Sequence, residues 1–162
     1  APSLVGSEMC IRDREEANEY LGEALNELGE LASKSGTFLI YEPLNRYETN
    51  LFNRFEDAAN FLDKLDTSGV RLLADLFHMN IEESNPSASI LEGSRHLGHV
   101  HFADSNRRPV GCGHTNMIPI AQVLRDLNYD GCISAEAFDW PDPDSAARQT
   151  IESFNKYFGN ER

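Results

Sequence analysis

Four short apolar segments of strand length recur along the chain and alternate with longer stretches of helical periodicity. They are TFLIYE, VRLLAD, GHVHFAD and GCISAEAF. Their apolar residues occur at successive positions rather than at alternate ones, which is typical of strands buried on both faces. Strands of this kind, joined by helices, pair in parallel through right-handed crossovers. The sequence therefore predicts an α/β fold built from parallel strand–helix units.

Five segments around these strands carry apolar residues at helical spacing. The first covers residues 13–34 and is followed by Gly36, which is a helix stop signal. The others are RFEDAANFLDKLD, NPSASILEGSRHL, MIPIAQVLRDLN and DPDSAARQTIESFNKYF. Because helices and strands alternate without a long linker, we expect one domain over residues 1–162.

Each strand segment carries, at or near its carboxyl end, a residue that can bind a metal ion. These residues are Glu42, Asp75, His101 and Glu136, separated by 33, 26 and 35 positions. Such separations are close to the length of one strand–helix unit, and parallel strands place their carboxyl ends at one edge of a sheet. We therefore expect the four side chains to converge, and we call them the strand-end cluster.

Each member of the strand-end cluster has a simpler explanation when it is taken alone. Glu42 could begin a surface loop, Asp75 could cap a helix, His101 could pack within its strand, and Glu136 could pair with an arginine. A shared divalent cation explains all four at once and also neutralises a carboxylate at the end of a buried strand. Three carboxylates and one imidazole favour Mn²⁺, with Mg²⁺ and Co²⁺ as the alternatives, over a structural zinc.

Charge and cysteine content limit the classes of partner. The formal net charge is -13 and the pI about 4.7, which repels phosphate backbones and anionic membranes, so we expect neither nucleic acid nor membrane as a partner. Cys10, Cys112 and Cys132 are scattered and include no CxxC pair. This pattern favours buried or idle thiols in a reducing compartment, and hence a cytoplasmic protein.

Four motifs together resemble those of a known family. EPLNRYETN, ADLFHMNIEES, GHVHFADSNRRPVGCGH and YDGCISAEAF are similar to successive motifs of the xylose isomerase-like sugar isomerases and epimerases, above all the D-tagatose and D-psicose 3-epimerases. The resemblance covers roughly residues 10–155. It implies a TIM barrel, of which this chain supplies about four strands, the C-terminal half. It also implies an isomerase of carbohydrate metabolism.

The resemblance assigns roles to individual positions. It makes the strand-end cluster the metal ligands, and Glu42 and Glu136 the two catalytic carboxylates. The contacts to the carbonyl end of the sugar fall on Glu48, His78 and Arg107. In the implied reaction, one glutamate removes a proton beside the carbonyl and the other returns one from the opposite face, through an enediolate that the divalent metal stabilises.

Half a barrel leaves an inner apolar face and two unpaired strand edges, which soluble proteins avoid. We therefore expect either a homo-oligomer or a missing N-terminal half, in addition to a small sugar substrate. Three functions compete. They are a metal-dependent ketose 3-epimerase or isomerase, an inactive or metal-binding half-barrel that needs a partner half, and an endonuclease IV-like phosphodiesterase. The last would need further metal ligands and a basic groove, which the sequence lacks.

The remaining polar residues near the strand ends are assigned structural roles. His99 should pack beside the strand-end cluster, and His114 should belong to the loop that contains the GCGH turn. Asn45 and Arg46 should brace the rim around the first strand. The polar residues of segment 80–83 should form a solvated loop.

Overall fold

The computed structural model describes the backbone of residues 2–159 and the side chains of residues 13–159, so the thiol of Cys10 lies outside the described side chains. The elements follow one another as α1 (Pro2–Lys34), β1 (Leu39–Tyr41), α2 (Phe55–Leu62), β2 (Val70–Asp75), α3 (Leu76–Glu82), α4 (Pro86–Glu92), a 3₁₀ turn (Ser94–His96), β3 (Leu97–His101), α5 (Met117–Asp126), β4 (Cys132–Ser134) and α6 (Pro143–Phe158). The predicted first helix thus begins before residue 13.

The four strands form one parallel sheet in the order β1-β2-β3-β4. Asp75 at the end of β2 lies opposite His101 at the end of β3, and His101 lies opposite Ser134 of β4. Because every strand runs in the same direction, all four carboxyl ends lie along one edge of the sheet. The predicted α/β class, with four successive units of a barrel wall, is confirmed.

One face of the sheet is covered by helices and carries the hydrophobic core. Leu72, Ala74 and Val100 are completely buried on this face, where Phe55 of α2 and Ile120 of α5 pack. Side chains alternate along a strand, so Ile40 of β1 points away from that core, and it is 44% exposed. The helical layer therefore covers one face of the sheet, while the opposite face is exposed at β1.

The described structure contains one α-helix outside the five predicted helical segments, α3, which begins directly where β2 ends. Asp75 caps it, because Oδ1 accepts the backbone N–H groups of Phe77 at 2.8 Å and of His78 at 3.1 Å. The expectation of a solvated loop over residues 80–83 is wrong. Residues 80–82 belong to α3, and the buried Glu83 accepts the N–H of Phe55 at 2.8 Å.

Of the two predicted alternatives, buried or idle thiols, burial does not apply to Cys132, which is exposed on the edge strand β4, and Cys112 is only partly buried. A position on the last strand of an open sheet explains this exposure, since no further strand covers it within the described residues. Among the helices of residues 2–159, none combines the length and the apolar character that crossing a membrane requires.

Candidate metal centre

The strand-end cluster forms one compact group at the carboxyl edge of the sheet. Glu42 directly follows β1, Asp75 and His101 are the last residues of β2 and β3, and Glu136 lies just beyond β4. One potential ligand atom from each side chain lies within 4.8 Å of the other three. The structure therefore brings together the four residues that strand spacing places at one edge.

His101 lies at the centre of this group. Its Nδ1 is 3.1 Å from Oδ2 of Asp75, 3.0 Å from Oε2 of Glu136 and 3.8 Å from Oε1 of Glu42. A single imidazole nitrogen can donate at most one hydrogen bond, so His101 Nδ1 cannot satisfy all three of the carboxylate oxygens that face it. The cluster has an excess of negative charge and oxygen lone pairs, which is the donor set that a hard divalent cation requires.

Asp75 is oriented by the helix that follows it. Its Oδ1 is occupied by the two N–H groups of the α3 amino terminus, and its Oδ2 is left facing His101 at 3.1 Å. The side chain is completely buried. Fixing one oxygen by backbone donors holds the other in place facing the cluster, which is how supporting contacts commonly orient carboxylates at metal sites.

Glu42 gives the strongest indication that this site can bind a cation. Its Oε1 is buried and has no hydrogen-bond partner among the described residues. Burial raises the pKa of the Glu42 carboxyl to about 7, with a further increase from Asp75 and Glu136 that outweighs the lowering by His101 and Arg107. Leaving such an oxygen unpaired costs about 1–3 kcal/mol. A divalent cation would satisfy it, so the residues present fit such an ion.

The three residues predicted to contact a sugar flank the strand-end cluster. His78 is buried, with Nε2 3.7 Å from Oε1 of Glu42 and Nδ1 3.8 Å from Oε1 of Glu48. The guanidinium of Arg107 approaches Glu48 at 3.7 Å and Glu136 at 3.2 Å. All seven predicted site residues therefore lie in one continuous polar patch on the rim.

Asp104 supports this patch, and the sequence patterns gave it no role. It is buried, and its side chain accepts the N–H groups of Ser105 at 2.7 Å, Gly111 at 2.8 Å and Thr115 at 3.0 Å. Burial raises the pKa of the Asp104 carboxyl. The hydrogen bonds from these N–H groups together lower it by more than burial raises it, so the pKa lies below its ordinary value. Its carbonyl also accepts the N–H of Arg107, which holds a left-handed φ of 56°. Asp104 thus organises the loop that presents Arg107.

An acidic residue that opens a loop rich in Gly, Ser and Asn is the signal that could have identified Asp104. The other polar residues near the rim make structural contacts. Nε2 of His99 lies 2.7 Å from Oγ of Ser134, and its ring stands edge-on to that of His101. His114 is exposed in its loop. Arg46 pairs with Glu82 at 3.0 Å.

Residues 4–157 match the xylose isomerase-like TIM barrel family. The chain belongs to this family. Among curated members it is 40% identical over 114 residues to a D-psicose 3-epimerase of Enterocloster bolteae, which is 70% of this chain and 38% of that protein. It is 33% identical over 134 residues to 3-dehydro-D-guloside 4-epimerase of Escherichia coli strain K12, which is 82% of this chain and 51% of that protein.

A solved structure has the same arrangement of elements. The crystal structure of a D-psicose 3-epimerase in the presence of D-fructose superimposes with a TM-score of 0.84 at 28% identity, over 91% of this chain and 58% of that one. The chain therefore spans about half the length, or less, of the curated relatives that it matches. Its four strands correspond to part of a TIM barrel wall.

Proposed function

We propose that this chain carries the metal-binding half of a divalent-metal-dependent sugar epimerase of the ketose 3-epimerase type. The observation that supports this most is the convergence of the strand-end cluster within 4.8 Å, with the buried Glu42 oxygen unpaired. The second support is the family: the relatives at 40% and 33% identity bear the names of a sugar 3-epimerase and a sugar 4-epimerase.

The strand-end cluster would hold the metal ion, with Mn²⁺ as our first choice because three carboxylates and one imidazole suit a hard cation. When bound, such an ion acts as a Lewis acid that polarises a carbonyl and an adjacent hydroxyl. Glu42 and Glu136 would be the acid–base pair. They follow the two outermost strands of the sheet, β1 and β4, and so approach a bound sugar from different sides.

In the proposed reaction, one of these glutamates removes the proton from the carbon beside the ketone. The electron pair moves onto the carbonyl oxygen to give an enediolate, and the other glutamate returns a proton to the opposite face of the same carbon. Arg107 would bind a substrate oxygen and stabilise the developing negative charge. Glu48 and His78 would hold the hydroxyl groups near the carbonyl.

The open sheet suggests what completes the site. In the described residues β1 and β4 each pair with one neighbour only, and Phe38 and Ile40 at the β1 edge are each 44% exposed. We propose that residues 1–162 form one domain, the C-terminal half of a barrel. An N-terminal half, or a second copy of the chain, would then supply the remaining strands and the wall that selects the sugar. The chain alone would in that case bind metal and lack turnover.

The test follows the substrate proton directly. The chain is incubated with Mn²⁺ or Co²⁺ and D-fructose or D-tagatose in deuterated water, and loss of the C3 proton is followed by NMR. If a second copy of the chain completes the site, we expect exchange in the wild type and none in Glu136→Gln. Glu30→Gln, which removes an exposed carboxylate paired with Lys34, is the matched control. Absence of exchange in a folded, metal-loaded sample would favour the half-barrel that needs its partner.

The cytoplasmic location stays a prediction.

A further inference from the structure

Asn45 is buried beside the site, and its contacts assign both ends of its amide group. Oδ1 accepts the backbone N–H of Tyr47 at 2.9 Å, so Nδ2 must point the other way. Nδ2 donates to Oε1 of Glu48 at 2.8 Å and lies 2.8 Å from Nδ1 of His78. A backbone N–H can only donate and a carboxylate can only accept. The contacts at Oδ1 and at Nδ2 therefore indicate the same orientation of the Asn45 amide.

This orientation decides where His78 carries its proton. Nδ1 of His78 faces two donors of Asn45, the side-chain Nδ2 at 2.8 Å and the backbone N–H at 3.3 Å. The nearest carboxylate oxygen, on Glu48, is 3.8 Å away and beyond hydrogen-bond distance. A ring nitrogen that faces two donors holds a lone pair, so the proton of the imidazole is on Nε2.

Nε2 of His78 is the end of the ring that lies toward the strand-end cluster. The residue is 1% exposed, and this nitrogen has no hydrogen-bond partner in the described part of the chain. The Glu42 oxygen nearest to it is 3.7 Å away. A buried N–H without a partner is unusual in a folded protein and commonly marks a place where a ligand atom binds. An oxygen of a bound sugar would satisfy it.

We propose that Asn45 is a positioning residue that fixes His78 as a neutral imidazole with its proton on Nε2, so that His78 is a hydrogen-bond donor to substrate. The identity of the acceptor as a sugar oxygen rests on the proposed function, whereas the tautomer does not. A His78 held in this way does not move the C–H proton, and that work is left to the two carboxylates. A neutral histidine that polarises a carbonyl is a known catalytic arrangement in another TIM-barrel enzyme.

One substitution reverses the hydrogen-bond pattern with little change of shape. Asn45→Asp replaces the donor with an acceptor, so Nδ1 should gain the proton and Nε2 should become an acceptor. The new carboxylate of Asn45→Asp would lie against the carboxylate of Glu48 and be repelled by it. The double variant Asn45→Asp/Glu48→Gln removes this repulsion, because the amide of the new glutamine can donate to residue 45, and it leaves the net charge unchanged. Asn60→Asp is the control, since Asn60 is exposed and its oxygen accepts from Arg95.

The tautomer is read from long-range ¹H–¹⁵N correlation spectra of the metal-free protein at neutral pH, with the His78 signals assigned by their loss in His78→Gln. In the wild type and in Asn60→Asp we expect a protonated Nε2 and an Nδ1 with a free lone pair. The pattern should reverse in Asn45→Asp or, if that variant does not fold, in the double variant. A wild-type His78 with its proton on Nδ1, or on both nitrogens, overturns the proposal, as does an unchanged pattern in whichever of these two variants folds.

A binding measurement separates this inference from the proposed function. In Asn45→Asp we expect Mn²⁺ alone to bind within about twofold of wild type, whereas D-fructose affinity in the presence of Mn²⁺ should fall about tenfold, as for the loss of one buried hydrogen bond. If the tautomer is as expected but the wild type binds no sugar, the proposed function fails and the assignment of His78 stands. If sugar binds equally to both proteins, the role of Asn45 in presenting His78 is refuted.

Discussion

The raised pKa of Glu42 predicts that this residue destabilises the metal-free protein at neutral and alkaline pH. The carboxyl ionises near pH 7 in the folded chain, against an ordinary value of 4.5. Stability should therefore fall as the pH rises between these two values, because ionisation is easier in the unfolded chain. Glu42→Gln cannot ionise, so it should remove this dependence and stabilise the metal-free protein above pH 7.

The structure sets the size of this effect. The shift from 4.5 to about 7 corresponds to at most about 3.5 kcal/mol, at roughly 1.4 kcal/mol for each pKa unit. The Glu42 side chain is 27% exposed, and solvent screening reduces the expected increase in the free energy of unfolding to about 1–2 kcal/mol. The same substitution should abolish the stabilisation by Mn²⁺, because binding to the folded state alone is what raises the free energy of unfolding.

The assay is urea unfolding in the presence of a chelator at pH 5 and pH 8, followed by circular dichroism. We expect Glu42→Gln to be more stable than wild type at pH 8 and to gain much less at pH 5. Glu30→Gln, at an exposed position on α1, should show no such difference. An equal effect of Glu42→Gln at both pH values, or a loss of stability at pH 8, would refute the view that burial and neighbouring carboxylates hold this group in an unfavourable charged state.

Three further substitutions test the supporting contacts. Asp104→Asn should lower the free energy of unfolding by about 1–3 kcal/mol at pH 7, measured by urea unfolding. Because the pKa of Asp104 is lowered in the folded chain, the carboxylate stabilises the protein above about pH 4, and the difference between variant and wild type should shrink at more acidic pH. Gly69→Ala should cost about 1–3 kcal/mol and lower the urea midpoint, because a Cβ there would meet the carbonyl of Gly29. His101→Ala should weaken Mn²⁺ binding at least about tenfold in calorimetry, whereas His114→Ala, in an exposed loop, should not.

The parts of the fold that could be predicted from the sequence are those that depend on local periodicity. Successive apolar runs identify the strands, and parallel pairing then places the residue at each strand end on the same edge. Asp75 and His101 are opposite each other in register for this reason. The family resemblance added Glu48, His78 and Arg107, which no spacing rule places at the rim.

The parts that could not be predicted depend on contacts between distant segments. α3 was missed because its apolar residues continue the run of β2 without a break, so the only start signal is the cap at Asp75. Glu83 reads as a polar loop residue, yet it is buried because it accepts the N–H of Phe55 at the start of α2. Asp104 is buried by a loop that folds back over it, and no local pattern reports that closure.

The central claim is that three acids and one histidine at the strand ends bind a single divalent cation. An anomalous difference map at the manganese absorption edge, from crystals grown with Mn²⁺, tests it most directly. We predict one strong peak within ligand distance of Glu42, Asp75, His101 and Glu136. A map with no peak among these side chains, in crystals that contain Mn²⁺, would contradict the claim.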